Sequence, residues 1–229
     1  MRCGSYPHEI RKTHEVAFCA AIAVTPIYRN TDNPLMGFWE PKDNVPSGTV
    51  TFLKCGGRHF ALTCSHVVDS CRTRNAEAGE QRYNLRTLVS RSRVVVDRFV
   101  QPNCEFGQPR PDVAIREVKP DYVHALGKLA FDLDSAYSPP AGLQHAIAVG
   151  FPTNMKYQQP GPSRTYRIAM PHAVVVAELS GGTPKERFHL FSELDTPLKD
   201  RSFSGMSGGP IFWSTDRRYG IRRFRISCG

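Results

Sequence analysis

The sequence predicts a mostly β protein built as two halves of similar length. Its apolar runs are short, alternate with polar residues, and are rich in Val, Ile, Phe and Thr, a pattern typical of strands. The 229 residues include 18 Gly and 18 Pro, which would end many of these runs in turns. At 40% hydrophobic residues, the chain can bury a substantial core. We therefore expect an all-β architecture.

The first half contains enough predicted strands for one small closed barrel. Residues 1–15 are expected to form a loosely ordered or edge segment, and residues 29–47 a long loop. A tight turn at 55–57 predicts a hairpin, and its returning strand leads into His66 at the start of a short helical turn. Residues 73–81 are expected to be an exposed loop. The predicted strands are 16–27, 48–53, 58–63, 83–89, 94–100 and 112–118.

The second half repeats the all-β character without repeating the sequence. It follows a predicted linker at residues 119–130, and it contains no low-complexity segment. Its predicted strands are 145–151, 166–179 with a break at Pro171, 188–194, 211–213 and 219–227. We therefore divide the chain into an N-terminal unit, residues 1–122, and a C-terminal unit, residues 123–229.

The composition limits the partners and compartments that we expect. A formal net charge of +9 fits either simple solubility or an anionic partner. The arginines are dispersed and no aromatic-rich binding motif accompanies them, so we do not expect a nucleic acid partner. The apolar run at 16–24 is too short to span a membrane, and Glu9 and Glu15 precede it, which is atypical of a signal peptide.

Seven cysteines at irregular spacing predict thiols in a reducing compartment. They form no CxxC pair and no His/Cys cluster at zinc spacing, so we expect no metal site. The predicted location is therefore the cytoplasm, with secretion as the alternative.

The stretch Phe203–Pro210 is a glycine-dense turn with Ser207 between small residues. Such a turn lets the backbone approach a ligand closely. Ser207 is then a candidate nucleophile, and the N–H groups of Gly205 and Ser207 could together hold an oxyanion. The alternative is a glycine-rich loop before the buried strand that starts at Ile211.

A serine hydroxyl needs a base within hydrogen-bond reach, and the base needs an orienting carboxylate. Imidazole suits the base role because its pKa lies near neutral pH. Among eight histidines, His66 is selected by its place at the end of the predicted hairpin. Asp112 heads a later strand and is the candidate carboxylate.

Three segments together resemble the chymotrypsin-like serine peptidases, whose signatures are TAAH, D-x-A-L and GDSGGP in that order. The corresponding segments here are Thr63–His66, Asp112–Ile115 and Gly205–Pro210. The order His, Asp, Ser is that of the family. Gly150-Phe151-Pro152 is similar to a turn common in the bacterial trypsin-like branch. The resemblance spans roughly residues 16–215.

The resemblance implies two antiparallel six-stranded β-barrels with the catalytic groups between them. It implies that Ser207 attacks the substrate carbonyl, that His66 moves the proton, and that Asp112 orients the imidazole. Gly205 and Ser207 would form the oxyanion hole. The implied function is a serine endopeptidase that acts on a protein or peptide and uses no cofactor and no metal.

The sequence also departs from the family pattern. Met206 replaces an aspartate that pairs with the new amino terminus of activated digestive members, so we expect no activation of that type. Val67 replaces a disulfide-forming cysteine. Arg201 and Phe203 are candidates for the substrate pocket, although Arg201 could equally be a solvated loop residue.

The segment after Ser207 is short and rich in arginine, so we expect the second barrel to be incomplete or to be completed by a partner protein. The rival hypothesis follows from this departure. It is a catalytically silent module of the same fold that binds a peptide or protein partner.

Overall fold

A computed structural model describes eleven segments of the chain, and they consist mainly of strands. The described segments are 15–26, 47–88, 93–94, 98–102, 111–135, 145–153, 157–160, 166–169, 172–180, 189–191 and 204–213. Within them lie two α-helices, α1 (Ser65–Glu77) and α2 (Pro120–Ala125), and a 3-10 turn at Glu15–Phe18. Neither α-helix in these segments is long and apolar enough to cross a membrane.

Thirteen strands are found in the described segments. They are β1 (Cys19–Pro26), β2 (Ser47–Cys55), β3 (Arg58–Thr63), β4 (Tyr83–Thr87), β5 (Arg93–Val94), β6 (Ala114–Val118), β7 (Phe131–Asp132), β8 (His145–Gly150), β9 (Tyr157–Pro160), β10 (Tyr166–Ala169), β11 (Ala173–Ser180), β12 (His189–Phe191) and β13 (Ile211–Trp213). They form three sheets.

The largest sheet is a curled, mostly antiparallel half-barrel with the order β5-β4-β1-β2-β3-β6. Strand β7 pairs with β2 in parallel. One face covers a core to which β1, β2, β3 and α1 contribute, with Ile22, Val50 and Phe52 fully buried. Because α1 and α2 pack on this same core, the half-barrel has one well-filled side.

A second sheet has the order β12-β11-β8-β13, and β9 pairs with β10 in a separate hairpin. The second sheet shares a core cluster with β1, which is buried on both faces. Ala20, Ile22 and Val24 face the first cluster, whereas Cys19 and Ala21 pack with the second. Successive side chains of a strand point to opposite faces of the sheet. A strand that is buried on both faces therefore needs a continuous apolar run.

The structure confirms a mostly β chain with few helices. The predicted hairpin is present, with its turn at Gly56–Gly57 between β2 and β3. The three sheets do not establish two closed six-stranded barrels, which remain a prediction. The division at residues 122 and 123 falls within α2, and it also remains a prediction. Strand β9 was not predicted, and the predicted strand 219–227 lies outside the described segments.

One prediction about helical content was wrong. The helix that begins beside His66 continues to Glu77 and replaces part of the loop expected at 73–81. The linker expected at 119–130 contains α2, with Pro120 at its first position, where the missing proline N–H costs nothing. Helix α1 buries only Val67, Val68 and Cys71. Its weak apolar pattern explains why the sequence did not predict it.

Candidate catalytic site

The pairing of β3 with β6 brings Asp112 to His66. These strands are antiparallel, and Thr63 lies opposite Ala114. Continuing this register two residues past the end of β3 and two residues before the start of β6 brings Asp112 opposite Ser65, immediately beside His66. The Ser65 hydroxyl donates to the carbonyl of Val113 at 2.8 Å and holds this extension in place. The sheet register therefore determines the meeting of the two side chains.

Asp112 contacts His66 through both carboxylate oxygens. Its Oδ2 lies 2.5 Å from the imidazole Nδ1, and its Oδ1 accepts the backbone N–H of His66 at 3.0 Å. His66 is the second residue of α1, and Cys64 at the N-cap makes no side-chain capping bond. Asp112 thus acts as the acceptor that the helix start needs. With Nδ1 held by the carboxylate, Nε2 of the neutral imidazole is left as the acceptor.

Both side chains can be reached from solvent. About half of each is exposed, 56% of His66 and 42% of Asp112. A substrate could therefore approach the imidazole without a rearrangement of the first sheet.

Ser207 lies in a turn, Ser204–Pro210, that is hydrogen-bonded to β2. Thr49 donates its backbone N–H to the carbonyl of Ser207 at 2.8 Å and its hydroxyl to that of Gly205 at 2.9 Å. Thr51 donates its hydroxyl to the carbonyl of Gly208 at 2.8 Å. Both threonines are fully buried. Three bonds from one strand thus fix the backbone on both sides of Ser207.

The opposite side of the Ser204–Pro210 turn contacts the end of β8. Thr153 donates its N–H to the carbonyl of Ser204 at 2.7 Å, and Val149 donates to the carbonyl of Pro210 at 3.0 Å. Phe151 donates its N–H to the Thr49 hydroxyl at 3.1 Å, which links β8 directly to β2. The turn is therefore held between the first and second sheets.

Two glycines are required by this close fit. Gly208 has a φ of 86°, and a Cβ there would lie 2.3 Å from the carbonyl oxygen of Thr49. Gly205 has a φ of 95°, and a Cβ there would lie 2.5 Å from the Thr153 hydroxyl. Any other residue would be strained by the left-handed backbone and would also clash. The glycine density of the turn thus follows from its docking.

The turn and the His66 helix meet at the start of β2. A Cβ on Gly48 would lie 2.8 Å from Val67 Cγ2 and 3.2 Å from the carbonyl oxygen of Ser207. Val67 directly follows His66, so the backbone of Ser207 lies within a few ångströms of the residue next to the imidazole. Both residues are among those described, and no hydrogen bond joins the Ser207 hydroxyl to His66. Such bonds are often long in the absence of substrate.

Of the residues predicted from the sequence, the structure brings His66 and Asp112 into contact and places Gly205 and Ser207 on the adjoining turn. Arg201 and Phe203, the candidate pocket residues, lie outside the described segments. The predicted Gly150–Pro152 turn adjoins the same site, because a Cβ on Gly150 would lie 2.8 Å from Met206 Cβ.

Sequence reasoning missed the three threonines that support the turn. Thr49 and Thr51 contact it directly, and Thr63 donates its hydroxyl to the carbonyl of Thr49 at 2.8 Å. The available signal was a set of hydroxyl side chains on two strands of one hairpin. Such side chains can also face solvent, so the signal did not indicate a role.

A group of possible metal ligands was also not predicted from the sequence. Cys64 Sγ, a ring nitrogen of His66 and a carboxylate oxygen of Asp112 all lie within 4.8 Å of one another. The sequence places a cysteine two residues before the histidine, but the third member is distant in the chain.

Comparisons with known proteins give only weak likenesses. No family model and no curated protein matches the sequence. One solved structure concerns the coupled folding and binding of the intrinsically disordered Sesbania mosaic virus VPg protein. It is 16% identical to this chain, with a TM-score of 0.41, and the match covers 85% of this chain and 74% of that one. A thermostable serine protease, AL20, from an extremophilic microorganism is 11% identical, with a TM-score of 0.37 and coverage of 87% and 80%. Likenesses of this size carry no argument about activity.

Proposed function

We propose that this protein is a serine endopeptidase in which Ser207, His66 and Asp112 act together. The observation that carries the proposal is the position of the Ser207 turn. Its backbone is hydrogen-bonded to β2 at Thr49, and it meets Val67, the neighbour of His66, at Gly48. A loop whose only role was to lead into β13 would not need to lie next to a carboxylate–imidazole pair.

The proposed reaction begins with attack of the Ser207 hydroxyl on the carbonyl carbon of the scissile peptide bond. His66 accepts the hydroxyl proton at Nε2 and then gives it to the leaving amine, so that an acyl-enzyme remains. Water then attacks the acyl-enzyme with His66 as the base, and this step releases the carboxylic acid and the free Ser207 hydroxyl. Asp112 holds Nδ1 and stabilises the imidazolium, a role supported by its 2.5 Å contact with Nδ1.

The backbone of the turn supplies the proposed oxyanion hole. The N–H groups of Gly205 and Ser207 flank the nucleophile, and among the described residues neither donates to another protein group. Donors that are already oriented need no rearrangement when the oxyanion forms. Loss of one such donor typically costs about 3–4 kcal/mol of the activation barrier.

The remaining expectations belong to this proposal. The substrate is a protein or peptide, no organic cofactor or metal takes part in the chemistry, and a partner protein could complete the second barrel. The units 1–122 and 123–229 would form the two barrels of a single peptidase in the cytoplasm, near the bacterial trypsin-like branch. Arg201 and Phe203 would line the pocket.

A second candidate function is a catalytically silent module that binds a peptide or protein. One observation favours it: the Ser207 hydroxyl makes no hydrogen bond to His66, although both residues are described. In such a module, Asp112 would serve only to cap α1.

Labelling by a fluorophosphonate separates the two functions. This reagent phosphonylates a serine only where a base and an oxyanion hole activate it. We expect the purified protein to be labelled at Ser207, and the Ser207→Ala variant to remain unlabelled. The Asp112→Asn variant should react more slowly by about four orders of magnitude, the size of the effect in a serine protease. A folded parent protein that stays unlabelled would exclude an active peptidase and favour the binding module.

A further inference from the structure

We infer that Cys64, His66 and Asp112 form a binding site for a soft divalent cation such as Zn²⁺, and that the bound cation blocks the proposed catalysis. The site needs no residue beyond those described. The inhibitory part rests on the proposed peptidase function, whereas the binding part does not.

The donor set fits zinc and not a hard cation. A thiolate, an imidazole and a carboxylate are the three ligand types that Zn²⁺ uses, and three protein ligands leave one position open for water. Magnesium and calcium prefer oxygen ligands throughout. One sulfur, one nitrogen and one oxygen donor therefore favour a thiophilic metal ion.

The geometry requires only small movements. The three donor atoms already lie within 4.8 Å of one another. Ligand distances of about 2.0–2.3 Å around a tetrahedral zinc place neighbouring donor atoms roughly 3.3–3.8 Å apart. A pair at the full 4.8 Å must approach by about 1–1.5 Å, and the 2.5 Å contact between Asp112 and His66 must open by about 1 Å.

The surroundings suit entry of a cation from solvent. Cys64 is buried, with 2% of its surface exposed, while His66 and Asp112 are half-exposed. Cys64 also lies at the N-cap of α1 and directly precedes Ser65, whose hydroxyl donates a hydrogen bond to the carbonyl of Val113. The sulfur therefore lies at the inner side of the group, and the two other ligands lie at its outer side.

Occupation of this site is incompatible with the proposed proton transfer. Binding at Nδ1 moves the imidazole proton to Nε2, where it leaves no lone pair to accept the Ser207 proton, and binding at Nε2 occupies that atom directly. In either arrangement the Cys64 thiol releases its proton to solvent as the metal–sulfur bond forms. His66 can then no longer act as a base, and the serine stays unreactive.

Cobalt absorption tests the binding part directly. The reduced, metal-stripped protein is titrated with Co²⁺, whose bonds to thiolate produce charge-transfer absorption in the near ultraviolet. We expect a one-to-one spectrum that Zn²⁺ abolishes, that is lost in Cys64→Ala, and that persists in Cys71→Ala, a buried cysteine on the same helix. Absence of the band, or its survival in Cys64→Ala, would overturn the site.

Asp112→Asn provides a second test that does not depend on the cysteine. The amide oxygen can still accept the backbone N–H of His66, so α1 keeps its cap. We expect the Zn²⁺ affinity, measured by competition with a chelating dye, to fall by at least about tenfold. An unchanged affinity would contradict the assignment of Asp112 as a ligand.

The inhibitory part is measured as the ratio of fluorophosphonate labelling rates without and with one equivalent of Zn²⁺. We expect a ratio above ten for the parent protein and a ratio near one for Cys64→Ala. A parent protein that binds cobalt but is never labelled by the fluorophosphonate would refute the peptidase proposal and would not affect the metal-site proposal. A parent protein that binds Zn²⁺ and labels at an undiminished rate would refute the inhibition alone.

Discussion

Thr49 shows at the scale of single residues how Ser207, the proposed nucleophile, is positioned. Its hydroxyl donates to the carbonyl of Gly205 and accepts the N–H of Phe151, while its own N–H donates to Ser207. It thus binds a proposed oxyanion residue, the proposed nucleophile and the end of β8 at once. Because its side chain is fully buried, no water can take over these bonds.

The substitution Thr49→Val should impair both stability and reactivity. Valine keeps the shape but leaves the Gly205 carbonyl and the Phe151 N–H without their partner, at about 1–3 kcal/mol for each buried group. We expect the free energy of unfolding in urea to fall by about 2–6 kcal/mol. We also expect the labelling rate of the folded variant to fall by about tenfold, which corresponds to about 1.4 kcal/mol in the barrier.

Thr25→Val is the matched control. Thr25 is buried in β1 and donates to the carbonyl of Asn84, away from the Ser207 turn. This variant should lose some stability and label at the parent rate. If Thr49→Val labels as fast as Thr25→Val when both are folded, Thr49 has a structural role only.

The residues of the candidate site differ in how far the sequence could predict them. The His66–Asp112 pair was predictable because each residue lies at the end of a recognisable strand. Thr49 and Thr51 were not, because alternation along β2 would ordinarily place such polar side chains towards solvent. They are buried because the Ser207 turn covers that side of the strand, and this turn comes some 150 residues later in the chain.

At the scale of elements, β1 joins the two core clusters and carries a titratable group, Cys19, into the second of them. Burial of Cys19 raises the pKa of its thiol to about 12 from an ordinary 9.0, although nearby Lys128 acts in the opposite direction. Burial lowers the pKa of Lys128, whose ammonium donates to the carbonyl of Val16 at 2.9 Å. The start of β1 therefore disfavours the thiolate.

Cys19 should make the protein less stable in alkali. Between pH 9 and 12 the unfolded chain loses the thiol proton while the folded chain keeps it, so unfolding is favoured as the pH rises. The stabilisation by the neutral thiol is complete below pH 9. The contribution reaches at most about 1.4 kcal/mol per pH unit. Urea unfolding of the parent protein and Cys19→Ala at several pH values measures the difference in slope.

Val24→Ala serves as the control for Cys19→Ala, since it truncates a buried side chain of the same strand and carries no titratable group. It should lower the stability at every pH and leave the slope unchanged. Equal slopes for the parent protein and Cys19→Ala above pH 9 would refute the account.

Helix α1 shows why some elements escape prediction. An amphipathic helix is recognised by its apolar stripe, but only three residues of α1 are buried. Its later turns are held by polar contacts with distant backbone. Arg72 donates to the carbonyl of Phe99, and Asn75 exchanges two hydrogen bonds with the backbone of Tyr83. These partners are fixed by the tertiary fold, so local sequence does not reveal them.

At the scale of the whole molecule, the Ser204–Pro210 turn is the part that links the first sheet to the second near the proposed catalytic residues. It is bonded to β2 on one side and to the end of β8 on the other. The fit is close enough that Gly208 has no space for a methyl group. Reactivity and the association of the sheets should therefore depend on the same contacts.

Comparison of Gly208→Ala with Gly79→Ala tests this dependence, because both glycines have a positive φ and their surroundings differ. Gly79 has a φ of 67° with nothing within 4 Å of an added Cβ, so alanine there should cost about 1–2 kcal/mol of backbone strain alone. At Gly208 the same strain is joined by contacts of 2.3 Å with the Thr49 carbonyl and 2.5 Å with the Thr63 hydroxyl. We expect Gly208→Ala to lose at least twice as much stability and to abolish fluorophosphonate labelling, while Gly79→Ala labels at the parent rate. Thermal unfolding and labelling of both variants measure the two effects, and similar losses in both variants would show that the turn is not tightly held between the sheets.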